Sequence, residues 1–148
     1  MKKLRYGMLV FTLIAGISCN SQINSVKINP ENISKVIIES VGFPAEDIQF
    51  ELYSNDSATT TLINLINESN LIDDASVRSF SKGKLLITVI ASNDTIYCFN
   101  SPIYKQNSIN LEIYSECYTG WYIGALSNKN FYSFFKDLFE VRYLVKFP

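Results

Sequence analysis

The sequence predicts an α+β domain built from an antiparallel sheet of about five to seven strands and two helices, at about 57–70 and 129–140. Several short segments alternate apolar and polar residues with period two, and two longer segments repeat their apolar residues at helical spacing. With 148 residues, 47% of them apolar and 18% charged, the chain suffices for one buried core and not comfortably for two. No internal repeat or low-complexity block competes with this reading.

The stretch from Ile33 to Val41 is rich in β-branched residues and closes at Gly42-Phe43-Pro44. Ile48, Phe50 and Leu52 then alternate with Gln49, Glu51 and Tyr53, so both segments read as strands. Asp56 or Ser57 caps a helix whose Ala58, Leu62, Leu65 and Ile66 form one apolar face; Asn70 and Asp73-Asp74 end it and begin a loop. Val77 to Ser81 is a candidate short strand, and Lys82-Gly83-Lys84 a turn into the next. There Leu85, Ile87, Val89 and Ala91 share one face, with Leu86, Thr88 and Ile90 on the other.

Read as a two-residue hairpin turn, Asn93-Asp94 sets Val89 opposite Cys98 and Ala91 opposite Ile96. A further strand carries Ile109, Leu111 and Ile113 on one side and Tyr114, Glu116 and Tyr118 on the other, after a connection lengthened by Pro102. Gly120-Trp121-Tyr122-Ile123-Gly124 reads as a turn or bulge leading into a short strand. Phe131, Phe134, Phe135, Leu138 and Phe139 fall at i, i+3, i+4, i+7 and i+8 behind the cap candidates Ser127, Asn128 and Asn130, the stripe of a helix that covers the sheet. Val141, Tyr143, Val145 and Phe147 alternate with Arg142, Leu144 and Lys146, which predicts a C-terminal strand, a longer helix being the competing reading.

Ahead of this body, Lys2, Lys3 and Arg5 precede an apolar run from Met8 to Ile17, the layout of a secretory signal, and the run is about half of the roughly 20 residues a spanning helix needs. Residues 1–18 are therefore read as a signal peptide, 19–32 as a polar tether with at most a short strand at Val26 to Ile28, and 33–148 as a single α+β domain. The sequence Gly16-Ile17-Ser18-Cys19-Asn20-Ser21-Gln22 resembles the lipobox of bacterial lipoprotein precursors, although Gly16 and Ile17 stand where Leu and a small residue are usual. The resemblance covers only about the first 22 residues, and it implies that Cys19 becomes the first residue of the mature chain and carries lipid. Ordinary cleavage after Ser21 and a eukaryotic secretory protein are the alternatives. The latter is suggested by the glycosylation patterns at Asn32, Asn55, Asn67 and Asn93.

Without the leader the basic residues fall from 13 to 10 against 14 acidic ones, a net charge of −4 that argues against docking of the folded part on anionic lipid. The same balance leaves no footprint for nucleic acid. Cys98 and Cys117 remain for an oxidising compartment and are a candidate disulfide, expected on the side of Ile109, Leu111 and Ile113, directly opposite each other if the turn centres on Asn107-Ser108. Two buried free thiols are the alternative. Tyr97, Phe99, Tyr114, Tyr118 and Trp121, with Tyr122, form a candidate binding platform on the opposite face, suited to sugars or to a protein partner; one of the helices packing on that face is the other reading.

The absence of histidine removes the commonest general base and metal ligand. Neither a phosphate-binding loop nor a nucleophile elbow is present, and Asp73-Asp74 lacks the ligand pattern of a calcium loop, so no catalytic residue, metal or cofactor is assigned. The expectation is an exported, lipid-anchored binding domain of the cell envelope, an inhibitor or immunity-type protein being one form, with a loop such as Asn70 to Ser76 or Pro102 to Ser108 inserting into its target. Its partner would be a protein or glycan, and its membrane contact only the lipid on Cys19. The alternatives are a small hydrolase using carboxylates and a structural subunit of an envelope assembly.

Overall fold

A computed structural model describes residues 26–42, 47–72, 83–103, 108–117 and 122–148. The described chain is α+β: a seven-stranded, fully antiparallel sheet with two helices. The strands are β1 (Ile33–Val41), β2 (Gln49–Tyr53), β3 (Asn70–Ile72), β4 (Lys84–Ala91), β5 (Ile96–Pro102), β6 (Asn110–Tyr114) and β7 (Tyr122–Ser127), in the spatial order β2-β1-β4-β5-β6-β7-β3. The helices are α1 (Ser57–Asn67) and α2 (Phe131–Asp137); α2 runs on into a π-helical turn (Leu138–Arg142).

One face of the sheet is the core. In-register rows such as Leu52–Val36–Val89–Tyr97 and Phe50–Ile38–Ile87–Phe99–Ile113 meet Leu62, Ile63 and Ile66 of α1 and Phe131, Phe135 and Phe139 of α2 and its extension in one apolar cluster. The predicted Phe stripe is thus a core face, and Phe139 sets its ring edge-on to Phe50 at 5.2 Å. Asp56 caps α1 by accepting from the Ala58 N–H at 2.9 Å, as its residue type leads one to expect. At the other end of the helix, Asn128 Nδ2 donates to the Leu65 carbonyl and joins α1 to the start of α2.

Four features differ from the sequence reading. The polar tether ends earlier than residue 32. Ile28 is buried, Val26 packs against the core, and Asn67 brackets Ile28 by accepting from its N–H at 2.8 Å and donating to its carbonyl at 2.7 Å. No strand forms there; a 3-10 turn (Pro30–Asn32) leads into β1 instead. Asn70, read as the start of a loop, opens the edge strand β3, which pairs with β7 and is too short to show a period.

The β4–β5 connection is a three-residue loop. Ala91 N–H donates to the Thr95 carbonyl and Asp94 takes a left-handed φ of 63°, so Thr88, not Val89, pairs with Cys98. That one-residue difference exchanges the two faces of β5. Finally, residues 143–148 form no strand. Their alternation is real, since Tyr143, Val145 and Phe147 pack against the core while Leu144 and Lys146 are exposed, but the backbone joins no neighbouring strand and Leu144 has a φ of 57°. The leader with Cys19, Asp73-Asp74, the Val77 to Ser81 strand, Tyr118 and Trp121 all lie outside the described residues.

Candidate functional site

The second face of the sheet has a different character. Ile37, Leu86 and Ile90 point to it and lie outside the core cluster, and both helices contribute their buried residues to the opposite side. Strand register lays its side chains out in rows. One reads Tyr53–Lys35–Ile90–Ile96, the next Glu51–Ile37–Thr88–Cys98–Tyr114–Tyr122, and the third Gln49–Glu39–Leu86–Asn100–Glu112–Ala125. Most of these residues are half-buried by their neighbours, while Gln49, Tyr53, Ile96 and Tyr122 are exposed.

Two polar clusters sit on this face, which both described helices leave open. At the β2 end, Lys35 Nζ donates to Glu51 Oε1 at 2.8 Å and Tyr53 Oη to Glu51 Oε2 at 2.8 Å. The Lys35 hydrogen bond, then that of Tyr53, hold the Glu51 carboxyl below its ordinary range. The same bonds to Glu51 raise Lys35 and Tyr53. Toward β6, Tyr114 Oη donates to Glu112 Oε2 at 2.9 Å, and burial followed by this bond raises the tyrosine. The Tyr122 ring stands edge-on to Tyr114 at 6.1 Å.

Between the clusters, Cys98 and Cys117 are joined as a disulfide with Cα atoms 5.0 Å apart. Its placement corrects the sequence reading. Cys98 pairs with Tyr114 rather than lying opposite Cys117, and it faces the open side rather than the side of Leu111 and Ile113. Cys117 lies three residues beyond the end of β6 and reaches back over that face, where Thr88 Oγ1 stands 3.9 Å from its sulfur. Leu86, Thr88, Asn100 and the disulfide line a shallow recess.

The expected aromatic platform is therefore divided. Phe99 is buried and Tyr97 packs on the core, both on the covered face, while Tyr114 is on the open face. Among the described residues the open-face aromatics are Tyr114, Tyr122 and, at the far edge, Tyr53. A signal for the right division was present in β5: Asn100 shares the side of Cys98 and Ile96, whereas the other side holds the larger apolar rings of Tyr97 and Phe99. Of the two candidate insertion loops, Asn70 to Ile72 is tied into the sheet and Ile103 is fully buried, its N–H donating to the Gly83 carbonyl.

Among the described residues no group of three or more cysteine and acidic side chains is placed to hold a metal ion. Glu51 and Asp56 are both held below the usual carboxylate range, the wrong direction for a general acid. No described helix is long and apolar enough to cross a membrane. Comparison with known proteins finds no family model, no curated protein and no solved structure that matches the chain.

Proposed function

We propose that the protein is an exported, lipid-anchored, non-catalytic binding domain whose open sheet face engages another macromolecule of the cell envelope, in the manner of an inhibitor or immunity-type protein. The observation that supports this reading most directly is the contrast between the faces. The described helices complete the core on one side and leave the other presenting Ile37, Leu86, Ile90 and Tyr114 among hydrogen-bonded polar groups. Six strand spacings of about 4.8 Å and strands of about 17 Å make this face roughly 500 Å², the same order as the about 800 Å² each partner contributes to a standard interface. Apolar and aromatic centres flanked by satisfied polar groups are what such interfaces use. The leader and Cys19 place the domain in the envelope on the strength of their sequence alone.

The test is site-specific photo-crosslinking of the full chain in intact cells. A crosslinker at Thr88 on the open face is expected to give a discrete adduct that a crosslinker at Ser133 on α2 does not. Leu86→Arg should abolish the adduct while the chain still unfolds in a single cooperative transition. Adducts of equal yield from both positions, or none from Thr88, would reject the assignment of the open face.

A further inference from the structure

We infer that α2 and the segment after it form a docking surface for anionic phospholipid head groups, so that the anchored domain lies helix side down with its open sheet face turned away from its own membrane. This rests on the lipid-anchored reading of Cys19 proposed above and goes beyond it, because that reading gives the folded part no membrane contact of its own.

The leash between Cys19 and the folded body is short. Cys19 stands seven residues before Val26, which is already packed against the core, and the next residues are fixed to α1 through Asn67. Seven residues reach at most about 25 Å. The leash is rooted on the helix side, beside Asn67 of α1, so the lipid anchor holds that side of the body within about 25 Å of the bilayer surface.

Charge also distinguishes α2 and the segment after it from the rest of the domain. The whole sequence without its leader is acidic, a balance that by itself argues against lipid docking, but the acidity is not evenly spread. From Lys129 to Lys146 there are four basic residues (Lys129, Lys136, Arg142, Lys146) and two acidic ones. All four basic residues are exposed. Arg142 is paired with Asp56, so the stretch keeps a net +1 from Lys129, Lys136 and Lys146 against Asp137 and Glu140, while the other described residues hold three basic (Lys27, Lys35, Lys84) against eight further acidic side chains, a net −5. A negatively charged surface attracts the first and repels the second.

The same stretch exposes apolar side chains. Val141 and Leu144 are 74% and 86% exposed, the highest values among the exposed large hydrophobic residues. Leu144 is held in the left-handed region at φ 57°, a conformation rare outside glycine and asparagine that keeps its side chain in solvent while Tyr143 and Val145 turn to the core. Apolar side chains interleaved with long basic ones are the composition that settles into the head-group boundary.

The experiment uses the full chain purified from membranes. Mass spectrometry of the peptide bearing Cys19 comes first: an unmodified Cys19 would overturn the anchoring and this inference with it. The lipidated chain is then placed in phosphatidylcholine vesicles with and without phosphatidylglycerol, with a solvatochromic amino acid at Leu144 or at Thr88. A blue shift at position 144 that grows with anionic lipid, fades at high salt and is several-fold smaller in Lys136→Glu/Lys146→Glu is the expected result. A shift at position 88 instead, or at neither position, would overturn the orientation while leaving the lipid anchor intact. A shift at position 144 seen only when envelope proteins are added would reassign the patch to a protein partner.

Discussion

The two faces of the sheet are made from the same strands and stabilised in different ways. On the covered face Val36, Ile38, Leu85, Ile87, Val89 and Phe99 are at most 1% exposed and owe their contribution to removal of apolar area from water. On the open face the alternate residues are half-buried, and the cross-links there are specific pairs: Lys35 with Glu51, Tyr114 with Glu112, Cys98 with Cys117. The difference teaches that the fold is specified from one side. The other side is free to vary its chemistry.

The sharpest way to break this comparison is to truncate one residue on each side. Phe135→Ala opens a cavity among fully buried rings and is expected to cost about 3–5 kcal/mol. Leu86→Ala removes a half-buried side chain and should cost about 1 kcal/mol. Urea denaturation of both variants checks the ratio. Equal losses would mean that the open face is covered in solution.

The same contrast explains what is legible in the sequence. The covered layer is readable because its signals are long and redundant: five apolar residues at helical spacing leave α2 no other face to bury, and β1 and β4 alternate over eight or nine residues. The open face is harder to read because its content depends on a single register. Asn93-Asp94 has the residue types of a two-residue turn, yet Asp94 alone takes the left-handed position of a three-residue loop, and one residue of slip carries Phe99 to the wrong side and Cys98 with it. β3 is invisible to periodicity because three residues carry no period. In the C-terminal segment period two sorts the side chains from Tyr143 onward, misplaces Val141, which is exposed in the π-helical turn, and wrongly implies a paired backbone, since alternation reports burial and does not report hydrogen bonding.

A second test acts on the open face alone. The disulfide spans a sequence separation of 19, and closing such a loop contributes about 3 kcal/mol in the chain-entropy account. Cys98→Ala/Cys117→Ala is therefore expected to lower stability by about that amount while leaving the protection of β1 and β2 amides against hydrogen exchange in its native order. Loss of protection across the whole sheet would show that the bond is needed to form the covered face too, and the independence argued for the two sides would fail.

The smallest effect lies where the helix layer is tied down at its edge. Arg142, at the end of the π-helical turn, donates through two nitrogens to the Asp56 carboxylate that caps α1. The Arg142 hydrogen bond is the main reason that the Asp56 carboxyl sits below its ordinary value of 3.8; burial opposes the shift and the Ala58 N–H adds to it. A depressed carboxyl contributes stability that is present above its unfolded value and lost as pH falls through the lower folded one, so the contribution begins to decline near about pH 4 and falls further as the pH drops. Asp56→Ala should cost about 1 kcal/mol at neutral pH through the lost cap, and Asp56→Asn less, because asparagine caps as well but cannot pair with Arg142. Glu51 is depressed as well, so the comparison is made in a Glu51→Gln background. There the stability lost on Asp56→Asn should shrink as urea midpoints are taken from pH 7 toward pH 3. A loss that stays constant over that range would mean that the Arg142 contact adds nothing to the edge and that the cap alone holds it.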